Sequence, residues 1–522
     1  MTSPSDPLPV GCACCKLDRR RFLAGCAACA AGASGIAPAT ARTARAAEAA
    51  RKPRIRLVFS HVPSTGPVWP NIGYDFERRK KELAGKLTAA CPNIEFLPTT
   101  MMNEQDLQRI READGEVDGY LIWFVGLWTG QCYKIAAMNK PTVMADDLYG
   151  GSGEFLIAYS AARRAGHRTV GVSSARFDDL AAVVNTFGLL TREGAGPEAW
   201  LTAAEAARRR TFAPAGELKC EKDEVRCAEP GEVIKRLGES TMLVVGATNP
   251  PLSEAITKIF GVRIVPVEFA ELDQAWAAAD RDESAAHADR WIRDAEKVVE
   301  PAREEIVKSA AMYLAMRALL QKHGAQAITI NCLGGFYGGH IHAYPCLGFT
   351  QLNDDGLVGA CEADQISTIT MMVLGYLTGR PSYISDPVID TSTNRVIYAH
   401  CVAPTRVFGP NGRRNAYHIR DHSEDRKGAA LRSLLPLDYL VSSMEFHPLH
   451  KQVVFHQGRT VENVDEDMAC RTKLAAEVKG DIDRLMTQWD LYGWHRVTVY
   501  GDVAGPVTEL AERLGMKMLQ EA

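Results

Sequence analysis

Residues 357–386 read LVGACEADQISTITMMVLGYLTGRPSYISD, and the order of patterns inside that run decides the fold. A short apolar segment at 357–361 precedes an apolar stretch of helical length at about 364–377. That stretch breaks at Gly379-Arg380-Pro381, and an extended segment resumes at 381–385. Strand, helix, strand in that order predicts a βαβ unit. Parallel strands joined by one right-handed crossover lie about 4.8 Å apart when adjacent, and side chains just past their carboxyl ends point into one crevice. Glu362 and Asp386 stand at those two ends, so the pattern predicts that they meet. Two buried carboxylates left alone repel each other, whereas a divalent cation between them removes the repulsion and supplies a Lewis acid. The spacing by itself also fits two helix-capping or solvated acids.

Working outward, alternating strand and helix patterns fill both sides of this run. Toward the amino end, strands are expected at 55–59, 94–97, 120–124, 142–145 and 169–172, with helices between them at 74–89 and 104–111. A polar, Ala-rich interval at about 192–230 separates these from a second alternation at 242–245, 262–267 and 327–331, which includes a long amphipathic helix at 301–323 stopped by Gly324. Past Pro387 short strand-like runs dominate, at 395–399, 452–455 and 496–500. The fold class is therefore α/β: two doubly wound parallel-sheet domains followed by a β-rich C-terminal domain. At 522 residues the chain is too long for a single core, which agrees with a division into a flavodoxin-like domain at 52–175, a second α/β domain at 176–387 and the β-rich domain at 388–522.

The first 46 residues are expected to stand apart from the fold. Asp18-Arg19-Arg20-Arg21-Phe22-Leu23, a weakly apolar Ala/Gly/Cys-rich run, and then Ala44-Arg45-Ala46 resemble a twin-arginine export signal with its cleavage site, which places the mature protein in the periplasm or outside the cell. A membrane anchor is not expected, because the apolar run is short and diluted by Gly and Ser. Cleavage removes six of 60 basic and two of 64 acidic residues, leaving 54 and 62 and a net charge of −8, which disfavours a nucleic-acid partner. It also removes both C-x-x-C pairs, Cys12 with Cys15 and Cys26 with Cys29, and with them any thioredoxin-like site or zinc ribbon. The nine remaining cysteines are odd in number and scattered, so they read as free thiols. No haem, iron–sulfur or dinucleotide motif supports a redox enzyme.

Histidine usage strengthens the metal expectation. Nine of the 13 histidines follow residue 339, which gathers the commonest nitrogen donors around the two acids. His400 ends the strand pattern at 395–399, and His495 opens the one at 496–500. His340 and His342 sit in the Gly-rich loop GGFYGGHIHAYP at 334–345, which lacks any nucleotide-binding form.

These residues carry a resemblance. The segments 345–356, Cys361-Glu362-Ala363-Asp364, Ser385-Asp386, Ala399-His400-Cys401 and Gly493-Trp494-His495-Arg496 resemble the metal-binding core of the L-fucose and L-arabinose isomerase family, most strongly over 327–405 and 485–505. The resemblance implies that Glu362, Asp386 and His495 hold Mn²⁺ or Mg²⁺, with His400 as a further ligand. It also implies that Glu362 and Asp386 carry the protons of an aldose–ketose isomerisation of a pentose or 6-deoxyhexose by way of an enediol. A homo-oligomer with sites between subunits is implied as well. Trp494 departs from the Asn usual in fucose-type relatives and, with Trp128, is expected to line the sugar site, Trp128 coming from a neighbouring subunit. The export signal and Trp494 keep a second expectation open, a sugar-binding or sensing protein on the same scaffold without turnover.

Overall fold

Ile55, Leu57 and Phe59 pack into one hydrophobic core while Val58 between them packs into another, the mark of a strand covered on both faces. This strand, β1 (Arg54–Ser60), belongs to a five-stranded parallel sheet with β2 (Glu95–Met101), β3 (Gly119–Phe124), β4 (Thr142–Asp146) and β5 (Thr169–Val172), in the order β2-β1-β3-β4-β5. That order is the flavodoxin-like one. The computed structural model describes residues 51–522, so the expected export leader at 1–46 lies outside the described residues. β2 runs four residues past its expected end, through Pro98. Pro lacks an N–H for the ladder, and β2 tolerates it as the sheet's edge strand, paired only with β1.

A second parallel sheet holds β6 (Thr241–Val245), β7 (Arg263–Val267), β9 (Ala327–Ile330) and β10 (Val358–Cys361), in the order β10-β9-β6-β7. The long helix Arg303–His323 precedes β9 and ends at Gly324, whose φ of 59° is the left-handed conformation that closes a helix. Short β8 (Lys297–Val298) leaves this sheet to join β13 (Tyr417–His422) and β14 (Lys427–Ser433).

The strand-rich remainder comprises β11 (Tyr383–Asp390), β12 (Arg395–His400), β15 (Leu440–His447), β16 (Gln452–Asn463), β17 (Thr472–Val478), β18 (Arg496–Tyr500) and β19 (Lys517–Gln520). Six of these pair antiparallel around a ring, β15-β18-β11-β12-β17-β16 and back to β15, while β19 lies parallel to β16. β16 closes the ring by pairing with β15 through its first eight residues and with β17 through its last six. Its bulge between Thr460 and Glu462 supplies a bend. The two parallel sheets and the strand-rich C-terminal region agree with the expected fold class.

The βαβ reading of 357–386 is corrected by this topology. β10 and the helix Gln365–Thr378 form as expected, with Asp364 capping the helix and Gly379 closing it at φ 65°. The segment after Pro381, however, does not return to the parallel sheet; it becomes β11, antiparallel between β12 and β18. Arg380 anchors the switch by donating to both oxygens of Asp223 (2.5 and 2.7 Å) and to the Tyr500 carbonyl (3.1 Å). All eight residues of β11 are buried, and a run covered on both faces carries no alternation that would reveal which sheet it joins. Asp386 is thus a mid-strand residue, not the end of a parallel strand.

Inside the ring, polar side chains satisfy one another. Tyr398 on β12 and His456 on β16 meet across the interior at 2.7 Å, His456 reaches Glu521 at 2.8 Å, and Glu521 accepts from Arg496 at 2.7 to 3.2 Å. Arg496 and Glu521 are essentially without solvent contact. Removing one member of such a pair leaves a bare charge in a low-dielectric interior and costs about 3–5 kcal/mol. Glu521→Ala is therefore expected to lose stability of that order in urea unfolding, and a loss below about 1 kcal/mol would mean that the pair is not a structural tie.

Candidate active site

The register of the ring builds the centre of the site. Ala399 of β12 lies opposite Asp386, and Arg496 of β18 lies opposite Ser385, so His400 and His495 flank Asp386 from the two neighbouring strands. Glu362 arrives from the other layer. It follows the last residue of β10, and both it and Ala363 hold the left-handed backbone conformation, at φ 67° and 52°. Two consecutive non-glycine residues in that region store strain, which is tolerated where a side chain must be aimed. His495 Nε2 lies 3.3 Å from Asp386 Oδ1 and 3.6 Å from Glu362 Oε2, and His400 Nε2 lies 3.7 Å from Glu362 Oε1. One donor atom each from Glu362, His400 and His495 can be chosen so that all lie within 4.8 Å of one another.

Asp364, read from the sequence as the start of a helix and as part of the Cys361-Glu362-Ala363-Asp364 segment, with no role of its own, does two jobs. Its Oδ1 accepts the N–H groups of Ile366 and Ser367, at 2.9 and 3.0 Å, and its Oδ2 takes the Nδ1–H of His495 at 2.8 Å. A carboxylate on Nδ1 fixes the ring's orientation and turns Nε2 toward Glu362 and Asp386, the arrangement that orients metal-bound histidines. The spacing of Cys361-Glu362-Ala363-Asp364 offered the signal, since an N-cap acid two residues from a candidate ligand stands next to the same crevice. His400 behaves differently. Its Nδ1 accepts the Cys401 N–H at 3.0 Å, which puts the proton of the neutral ring on Nε2. In that tautomer Nε2 donates to an oxygen, and ligation would require the Cys401 contact to be given up.

Electrostatics follow the geometry. Burial pushes the Glu362 carboxyl up to about 7, opposed by the His495 charge and reinforced by Asp386 and Asp364. The Glu362 side chain is still 34% exposed, because its well opens on one side. Burial also opposes the Asp386 charge, but the His495 ring beside it and the hydrogen bond from Trp494 prevail and hold it below the usual carboxylate range. Burial lowers His400 to about 4. His495 is raised well above its ordinary value, since its hydrogen bond to Asp364 and the nearby charges of Asp386 and Glu362 outweigh its own burial. A cation among these groups would take over the role that the imidazolium proton plays here.

The residues present fit a divalent ion. His495 Nε2 and His400 Nε2 are both buried without a hydrogen-bond partner, and the carboxylates beside them supply hard oxygen donors. Oxygen donors with a single imidazole suit Mn²⁺ or Mg²⁺ better than Zn²⁺.

Trp494 and Trp128 form the rim. Trp494 Nε1 donates to Asp386 Oδ1 at 2.7 Å, and the two indoles meet edge to face with centroids 5.6 Å apart. Trp128 is 46% exposed and reaches Trp494 within one chain. Gly153 makes room for the pair, because a Cβ there would come within 2.9 Å of Trp128 and 3.1 Å of Trp494. The other singled-out histidines stay outside the cluster: His340 stacks on Phe269, and His342 points to Asp273.

Comparison with known proteins gives a consistent direction. The chain is 24% identical over 315 residues to a sulfoquinovose isomerase of Clostridium sp. (strain MSTE9), a match covering 55% of this chain and 66% of the relative. A sulfoquinovose isomerase of Priestia aryabhattai is 26% identical over 185 residues, covering 33% and 40%. By name, these relatives are sugar isomerases. The chain spans just under two thirds of the first relative and two fifths of the second. No family model matches. An ABC-transporter solute-binding protein from Burkholderia multivorans aligns over 62% of this chain and 93% of its own at 12% identity, with a TM-score of 0.17 that carries no argument. Among the described residues, no helix is long and apolar enough to cross a membrane.

Proposed function

We propose that this protein is a metal-dependent aldose–ketose isomerase, exported by way of the leader at 1–46, in which Glu362, Asp386 and His495 hold Mn²⁺ or Mg²⁺. The reading is carried by one observation: the bare Nε2 of His495 stands between carboxylates delivered from two different layers of the fold. The sugar isomerases among the relatives support the same reaction class.

Moving a carbonyl from C1 to C2 requires a proton to leave C2 and another to reach C1, and in the same sense O2 loses a proton and O1 gains one. No oxidant is consumed. A bound divalent ion would supply Lewis-acid polarisation of the sugar oxygens, which makes the C2 proton removable. Glu362 and Asp386 share the proton transfers between carbon and oxygen, each offering a carboxylate oxygen toward the crevice. His400 donates its Nε2–H to a substrate oxygen, and the Trp128–Trp494 rim covers an apolar sugar face and excludes water.

The test is turnover with added Mn²⁺ over a panel of pentoses, 6-deoxyhexoses and sulfoquinovose, the sugar in the relatives' name. Conversion of at least one sugar, lost on chelation and restored by Mn²⁺, is the expected result. Conversion unaffected by chelation would remove the metal from the reading. A second reading, an exported sugar-binding protein without turnover, is favoured by the 2.7 Å bond from Trp494, which occupies an oxygen of Asp386. Sugar binding by calorimetry without conversion of any sugar would select it.

A further inference from the structure

Glu445 on β15 is 2% exposed and lies one step beyond the Met444–Val497 pair, level with Arg496. That arginine offers it no hydrogen bond. A guanidinium has five N–H groups. Those of Arg496 go to Glu521 through Nε and Nη2, to the Trp489 carbonyl through Nη2, and to the Gly493 and His495 carbonyls through Nη1. Glu445 therefore has no hydrogen bond from that cation, and its Oε2 has no hydrogen-bond partner at all.

Its other oxygen makes the decisive contact. Ser367 Oγ lies 2.9 Å from Glu445 Oε1 and 2.7 Å from Asp364 Oδ2. A hydroxyl carries one proton and cannot donate it to both carboxylates. One of the two acids must contribute a proton of its own. Asp364 is the poorer host, because it already accepts two backbone N–H groups and the His495 Nδ1–H. Burial, the largest influence on Glu445, together with the charge of Asp364, raises its pKa in the same sense.

We propose that Glu445 is held as a neutral carboxylic acid that donates to Ser367, and that the directed chain Glu445–Ser367–Asp364 positions His495 so that its Nε2 faces the site. Glu445 is a positioning residue, since it reaches His495 only through Ser367 and Asp364. The kinetic part of this inference rests on the isomerase reading; the protonation and metal-binding parts do not.

The test compares Glu445→Gln, which keeps a neutral donor of the same shape, with Glu445→Ala and Ser367→Ala, all as full-length Mn²⁺-loaded protein. At neutral pH the infrared difference spectrum, wild type minus Glu445→Gln, is expected to show a protonated-carboxyl carbonyl band, and its absence overturns the neutral acid. Mn²⁺ affinity is expected to fall about 10- to 100-fold in both Ala variants, as for other partners of a metal-bound histidine, and to be rescued by Gln. Equal loss in Gln and Ala, or no loss in either, overturns the positioning role, as does a wild type that binds no Mn²⁺. A wild type that binds Mn²⁺ with the expected variant pattern yet converts no sugar counts against the isomerase reading alone.

Discussion

Glu362→Gln is expected to lower kcat by about 10²- to 10⁴-fold, the range contributed by a well-placed proton-transferring group. The substitution keeps the shape of the side chain and removes its charge and its basicity. Glu362 is aimed by two consecutive left-handed residues and belongs to no helix or strand, so the fold has little reason to respond. KM is expected to change less than kcat, because the interaction removed is made mainly as the proton moves. Metal content measured on the same preparation separates the two roles proposed for this carboxylate. Wild-type turnover in the variant would remove Glu362 from the proton transfers.

The second large effect concerns His495. His495→Ala deletes the nitrogen between Glu362 and Asp386 and leaves Asp364 without its partner. Mn²⁺ affinity measured by titration is expected to fall by more than the roughly 10- to 100-fold typical of losing a residue that merely supports a ligand. His447→Ala is the control. His447 is also largely buried and near the carboxyl end of its strand, but its ring packs with His450 and is not among the gathered donor atoms, and its loss should leave Mn²⁺ affinity near that of the wild type. Equal effects of the two substitutions would overturn the ligand assignment.

Much of this arrangement was legible in the sequence. The strands of both parallel sheets were visible because apolar runs bounded by turn residues carry their own length signal, and Gly324 and Gly379 marked helix ends by the conformation only glycine adopts cheaply. Glu362, Asp386, His400 and His495 were readable as candidates, and the structure brings them together. The route by which they meet was not readable. β11 is buried on both faces, so its side chains do not betray whether it extends a parallel sheet or enters a ring of antiparallel strands; only Arg380, held by Asp223 and the Tyr500 carbonyl, redirects it. Glu445 was invisible for a related reason, as its environment is set by a helix nearly 80 positions away in sequence.

The cluster draws Glu362 and Asp364 from beside the second parallel sheet, Asp386, His400 and His495 from the ring, and its rim residue Trp128 from the first sheet's domain. An ion bound there would act as a rivet between separately built layers. Its binding energy would then appear as resistance to unfolding, about 2.7 kcal/mol at a hundredfold excess over the dissociation constant. Were the chain exported folded, as proposed, an ion bound there would lock it shut before departure.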